Sequence, residues 1–208
     1  MKKLLTLSFS LLVCVSFALK AQQLHQCDEN KSYWILSKDE DNFIVELSGK
    51  AQESEKKGVI TINGYILQGL IINKSAFIDE GEKDSKELQI LVRYALSEAD
   101  YFSKLFKTKI NIQIQKAVLS DGKEVLLWFF DMPESITANV KRQLFVNMLI
   151  GDKIIGLASP QIADQKFEDV RNFLTNAISI LKKIEDKNKL TKECLLLTRN
   201  IKSVCLSV

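Results

Sequence analysis

Apolar and polar residues alternate, cluster and space themselves in ways that predict most of the secondary structure. Residues 33–36 and 43–47 are two short apolar runs around the polar turn Lys38-Asp39-Glu40-Asp41-Asn42, the pattern of a β-hairpin. A charged stretch follows. Residues 59–72 then alternate strand-like side chains with Gly64 and Gly69, which predicts one long kinked strand or two short ones. From 84 to 106 the apolar positions Leu88, Leu91, Ala95, Ala99, Phe102 and Phe106 recur every three or four residues, so this segment is an amphipathic helix. Residues 109–119 alternate, Asp121-Gly122 supplies a tight turn, and 125–132 is an almost unbroken apolar run stopped by Pro133. A further hairpin pairs 144–150 with 153–158 around Gly151-Asp152 and ends at Pro160. Asp164 is placed to cap a closing helix over 165–185, with the stripe Phe167, Val170, Leu174, Ala177, Leu181 and Ile184. The fold class expected is α+β, an antiparallel sheet flanked by two long amphipathic helices, followed by a C-terminal helical segment.

This order resembles the PsbP-like and DcrB-like α/β/α sandwiches over about residues 40–184. The likeness is carried by the helix, the hairpin whose second strand contains Trp128-Phe129-Phe130, the tight hairpin with Ile154-Ile155-Gly156-Leu157, and the closing run Ala177-Ile178-Ser179-Ile180-Leu181-Lys182. Members of that group are mostly small adaptor or accessory proteins, several of them exported. The resemblance therefore implies binding to another protein rather than chemistry, and it assigns no functional residue. Residues 22–32 and 188–208 lie outside it.

The first 21 residues change the charge balance. Met1-Lys2-Lys3, an apolar run over 4–19 softened by hydroxyls, and Ala21 read as a cleaved signal peptide, too short for the roughly 20 apolar residues of a membrane span. Val13 before Cys14 argues against a lipoprotein. The Ala21-Gln22-Gln23 junction resembles exported proteins of Gram-negative bacteria, which makes the periplasm or the exterior the expected address. The whole chain has 29 basic and 26 acidic residues, net +3. Lys2, Lys3 and Lys20 leave with the leader and no acid does, so the mature chain is neutral. That excludes a nucleic-acid binder driven by counterion release. No repeat or linker interrupts residues 30–187, so 22–208 is expected to be one domain, with a core over about 32–187 and a docking segment at 188–208. Leu195-Leu196-Leu197, Ile201, Val204 and Leu206 make that last segment too apolar for a free tail.

Three cysteines remain in the mature chain, Cys27, Cys194 and Cys205. The last two share one face of a predicted helix, and eleven residues of helix rise about 16 Å, beyond a disulfide's reach. Cys27 is therefore expected to pair with one of them, contributing about 3 to 5 kcal/mol.

Candidate chemistry is sparse. The single histidine, His25, lies near the mature N-terminus, where an exposed polar tail is expected, and a catalytic triad would have to use it. His25, Cys27, Asp28 and Glu29 lack zinc-ligand spacing, so no metal or cofactor is assigned. Gln23-Leu24-His25 would chelate copper only if Gln23 were the first residue. Gly64 to Gly69 and Gly151 to Gly156 have a phosphate-loop interval without the Lys-Ser or Lys-Thr that follows it, and read as turn and strand glycines. Asp131 and Asp164 read as surface or capping acids. Lys83, Lys86, Glu87, Arg93 and Glu98 read as a solvated face of mixed sign.

The most informative feature is the central hairpin. A two-residue Asp121-Gly122 turn pairs Gln115 with Trp128 and Gln113 with Phe130, so these four share one face, half polar and half aromatic. Uncovered, it would dock an envelope protein or an extended glycan. Covered by a helix, it would be core, as the two-sided apolar run 125–130 suggests. The function expected is thus that of an exported, non-enzymatic envelope accessory or binding protein. The alternative is a small hydrolase or ligand carrier with a pocket between helix 84–106 and the sheet, where acids such as Asp131 would converge.

Overall fold

The computed structural model describes residues 21–28, 30–79, 86–137, 139–162 and 164–185. In chain order these form β1 (Ala21–Asp28), β2 (Lys31–Lys38), β3 (Asp41–Ser48), β4 (Ala51–Glu53), β5 (Val59–Ile62), β6 (Tyr65–Asn73), a 3-10 turn (Lys74–Phe77), α1 (Glu87–Phe106), β7 (Gln113–Val118), β8 (Glu124–Asp131), β9 (Val140–Ile150), β10 (Lys153–Ile162), α2 (Phe167–Ser179) and β11 (Lys182–Ile184).

Two antiparallel sheets result, not one. The larger has the order β4-β5-β6-β10-β9-β8-β7 and the smaller β1-β2-β3-β11. One face of the larger sheet carries Leu126, Trp128, Phe130, Phe145 and Ile154, covered by Ile90, Leu91, Tyr94, Ala95 and Phe106 of α1. Its other face carries Leu67, Ile71, Leu127, Phe129, Leu144, Val146 and Leu157, which pack against Val170, Leu174 and Ile178 of α2 and against Trp34, Leu36, Phe43 and Val45 of the smaller sheet. Strand β8 is paired on both sides and covered on both faces, which is why residues 125–130 are apolar on both faces and all buried.

Left-handed residues turn two of the hairpins. Asn63 (φ 50°) and Gly64 (φ 80°) link β5 to β6, so residues 59–72 are two strands joined by an Asn-Gly turn. Gly151 (φ 64°) opens the β9–β10 turn, with Ile150 opposite Lys153. Pro160 lies beyond Ala158, the last β10 residue paired with β6, where only one neighbouring strand remains to be satisfied. Gly69 leaves room for the side chains of the smaller sheet. A Cβ there would lie 2.7 Å from Leu36 Cδ2 and 2.9 Å from Trp34 Cη2.

Three expectations about architecture are corrected. The closing helix stops at Ser179, and 182–184 leave it to pair with Asn42–Ile44 of β3, where Lys183 Nζ meets Asp41 Oδ1 at 2.5 Å. Among the described residues only α1 is a long helix. The polar N-terminal segment is not a tail: Gln23 pairs with Ile35 and His25 with Tyr33 in the β1–β2 ladder. An extended strand cannot wrap its amides and imidazole around one copper ion. The 33–47 hairpin belongs to its own sheet, because β1 and β11 flank it instead of the strands of the larger sheet. The predicted C-terminal segment 188–208, with Cys194 and Cys205, lies outside the described residues. Among the described residues no helix is long and apolar enough to cross a membrane.

Candidate functional site

The register of the central hairpin decides which residues can meet a partner. Gly122 lies at φ 83°, its N–H donates to the Leu119 carbonyl at 2.9 Å, and the Leu119 N–H donates to the Lys123 carbonyl at 2.9 Å. The connection is therefore the three-residue loop Ser120-Asp121-Gly122, a tight turn followed by a left-handed glycine, not a two-residue turn. Asp121 secures it, accepting from the Lys123 N–H at 3.1 Å and pairing with Lys123 Nζ at 2.6 Å. One additional loop residue slips the pairing by one. Gln113 now stands opposite Phe129, Ile114 opposite Trp128 and Gln115 opposite Leu127.

Because side chains alternate, that slip sends the expected cluster to two faces. Trp128 and Phe130 lie beneath α1, on the face that exposed Ile114 shares, whereas Gln113 and Gln115 project on the opposite side and are exposed. Trp128 is fully buried. It stacks on Phe145 with centroids 3.9 Å apart, receives the edge of Tyr94 at 6.5 Å, and donates through Nε1 to Asn147 Oδ1 at 2.7 Å. Phe130 packs on Phe102 at 5.2 Å and on Phe106. A helix covers the aromatic pair, and a docking face made of all four residues does not exist.

What remains exposed is β7 itself, the outermost strand of the larger sheet. Every residue from Gln113 to Val118 is exposed except half-buried Ala117. Ile114 is 37% exposed and Val118 61%, two of the few large apolar side chains so placed. The other end of this sheet is the three-residue strand β4. An edge strand turns half of its N–H and C=O groups away from its neighbour, ready to pair with an added strand. Lys116, ion-paired with Glu124 of β8, places one charge in the middle of that edge. The strand is anchored upstream by buried Ile110, whose N–H donates to Ser103 Oγ at 2.9 Å.

A second group of polar side chains lies under α1, where a solvated face was expected. Glu98 is only 9% exposed, in the middle of the stripe that faces the sheet, one turn after Tyr94 and one turn before Phe102. Burial pushes its carboxyl up to about 7. The Tyr94 hydroxyl is buried without a hydrogen-bond partner, and burial, aided by the Glu98 charge, raises its pKa. Asn147 Nδ2 and Gln143 Oε1, on β9 beneath the same helix, are also buried without partners. Gly156 gives Asn147 its place, since a Cβ there would lie 2.4 Å from Nδ2. The signal in the sequence is the helical spacing of Leu91, Tyr94, Ala95, Glu98 and Phe102, which sets Glu98 on the apolar stripe.

The remaining candidates are dispersed. Asp131 is exposed at the end of β8 and paired with Arg142 at 2.7 Å, so it converges with no second acid, and Asp164 is exposed without capping α2. Lys86 and Glu87 are exposed, and Arg93 pairs with Asp79 at 3.4 Å; Lys83 lies outside the described residues. His25 is half-buried on the smaller sheet, its Nε2 without a partner. Cys27 is fully buried in β1. Among the described residues no three His, Cys, Asp or Glu side chains gather as metal ligands would.

These features define an α+β sandwich of two antiparallel sheets and two helices. Its fold resembles that of cyanobacterial PsbP (CyanoP) from Synechocystis sp. PCC 6803, known from a solution structure: identity is 10%, the match covers 83% of this chain and 98% of that one, and the TM-score is 0.44. That likeness concerns the fold alone. No family model matches the sequence, and no curated protein does.

Proposed function

We propose that the mature chain is an exported, non-enzymatic binding protein of the cell envelope, and that edge strand β7 is where it meets a partner protein. The observation that carries the reading is the exposure of β7, with Ile114 and Val118 exposed on the longer of the two edges of the larger sheet among the described residues. A partner segment in extended conformation gains main-chain hydrogen bonds along such an edge and apolar contact with alternate side chains. The leader over 1–21 supports export, and the neutral mature charge supports a protein partner over nucleic acid. Gln113 and Gln115 keep a place in this reading as outward-facing polar contacts; Trp128 and Phe130 support the strand from beneath.

A photo-crosslinking side chain at Gln115, compared with one at exposed Leu96 on α1, tests it in the native envelope. Crosslinks to one protein from position 115 and none from position 96 are expected. Crosslinks to glycan only, or none from position 115, refute it.

The unpartnered Tyr94, Asn147 and Gln143 atoms and the protonatable Glu98 favour a second reading, a small-ligand carrier that binds between α1 and β8–β9. A ligand that raises the melting temperature of the wild type but not of Tyr94→Phe would support it.

A further inference from the structure

The two ends of β7 differ in charge, and that difference specifies the partner. Residues 107–118 contain three lysines and no acid. Lys116 is neutralised by Glu124. Lys107, the C-cap residue of α1, and Lys109, four residues before the strand, are exposed and make no ion pair among the described residues. The acid nearest in register on the adjoining strand, Asp131, is held by Arg142 at 2.7 Å. The other end of β7 leads into the loop where Asp121 and Lys123 cancel. Among the described residues, the lysines without an ion pair next to this edge therefore lie toward its N-terminal end.

We infer that the occupant of β7 is an extended segment of a partner protein, running antiparallel to it, with alternate apolar residues and acidic residues at its C-terminal end. This rests on the docking reading above. Antiparallel pairing is the more stable ladder and is the kind that every described strand uses, and it directs the C-terminal end of the added strand toward the 107–109 segment. Apolar side chains on the α1 side of that strand would cover Ile114 and Val118. A second copy of this chain fits less well: the register that pairs Ile114 with Val118 sets Lys116 directly across from Lys116, and like charges opposed in a ladder repel.

The test uses the mature protein and three probe peptides of alternating threonine and valine: one ending in Glu-Glu, one ending in Gln-Gln, one beginning with Glu-Glu. Affinity is read by fluorescence anisotropy and the binding place by hydrogen exchange over 113–118. The peptide ending in Glu-Glu should bind about two- to tenfold more tightly than the glutamine peptide, as expected for two exposed ion pairs, and salt should erase the difference. Lys109→Glu should abolish the preference, and adding Lys107→Glu should reverse it toward the glutamine peptide, while the β7 amides still gain protection. Equal affinities with β7 protected would overturn the charge assignment and leave the docking reading intact. Tighter binding of the peptide that begins with Glu-Glu would overturn the antiparallel orientation. No protection of 113–118 by any peptide would overturn the docking reading and this inference together.

Discussion

Replacing Glu98 by glutamine removes one proton equilibrium from the interface between α1 and the sheet and almost nothing else. An ordinary glutamate titrates near 4.5; in the folded protein Glu98 titrates at about 7 because burial disfavours its charge and no cation or hydrogen bond among the described residues offsets this. The folded state thus binds more protons than the unfolded state between these values, so stability falls as pH rises. Below about pH 4.5 the residue costs nothing, the penalty grows through the interval, and above about 7 it is constant. At ~1.4 kcal/mol per pKa unit the full penalty is about 3 kcal/mol. Urea unfolding of wild type and Glu98→Gln at pH 4, 6 and 8 reads this as a difference between two curves. Other titrating groups, such as Asp41 held low by Lys183, contribute equally to both and cancel. The variant should match the wild type at pH 4 and exceed it by about 3 kcal/mol at pH 8, or roughly 6–12 °C in melting temperature for a chain of this size. A constant offset across the whole range would refute the assignment of Glu98 as a buried, unpaired carboxyl.

Other outcomes follow from the same packing. Trp128→Ala should destabilise by about 3–5 kcal/mol in urea, because it empties a core site and strands the Asn147 carbonyl; a loss under 1 kcal/mol would contradict its burial. Gly69→Ala should cost about 1–3 kcal/mol, since the new methyl meets Leu36 and Trp34 between two sheets, and unchanged stability would mean that those sheets separate freely. If Cys27 pairs with Cys194 or Cys205, denatured and unreduced mature protein should titrate one thiol; three would exclude the bond. Gly122→Ala should cost about 1 kcal/mol, the penalty for a left-handed residue with a side chain, read from the same unfolding curves.

Local chemistry made some elements legible in the sequence. The 31–48 hairpin, the Gly151-Asp152 turn and α1 are specified by periodicity and turn residues, which act within a few positions. Elements held by distant partners were not legible. β11 is three residues of a helical pattern, drawn out of the helix by the free edge of β3 and by Asp41, which lies far away in the chain. β1 looks polar because an edge strand needs few apolar residues to hold its place. The candidate site suffered most, because Asp121-Gly122 suits both a two-residue and a three-residue loop, and only the closing bond from Leu119 to Lys123 distinguishes them. Glu98 shows the limit of reading charge as exposure. Its position on the helix pointed inward, and its chemistry pointed outward.

The loop Ser120-Asp121-Gly122 is exposed and touches no partner, the kind of segment in which chains usually accept insertions without harm. Here its length is a parity. Adding or removing one residue would turn β7 over, presenting Gln113 and Gln115 to the aromatic layer under α1 and withdrawing Ile114 and Val118 to the other side. Changes by two residues would preserve the faces, and changes by one would exchange them. Which side of this strand faces α1 is therefore written in a count of solvent-exposed loop residues, and the loop is under the same constraint as the core it never enters.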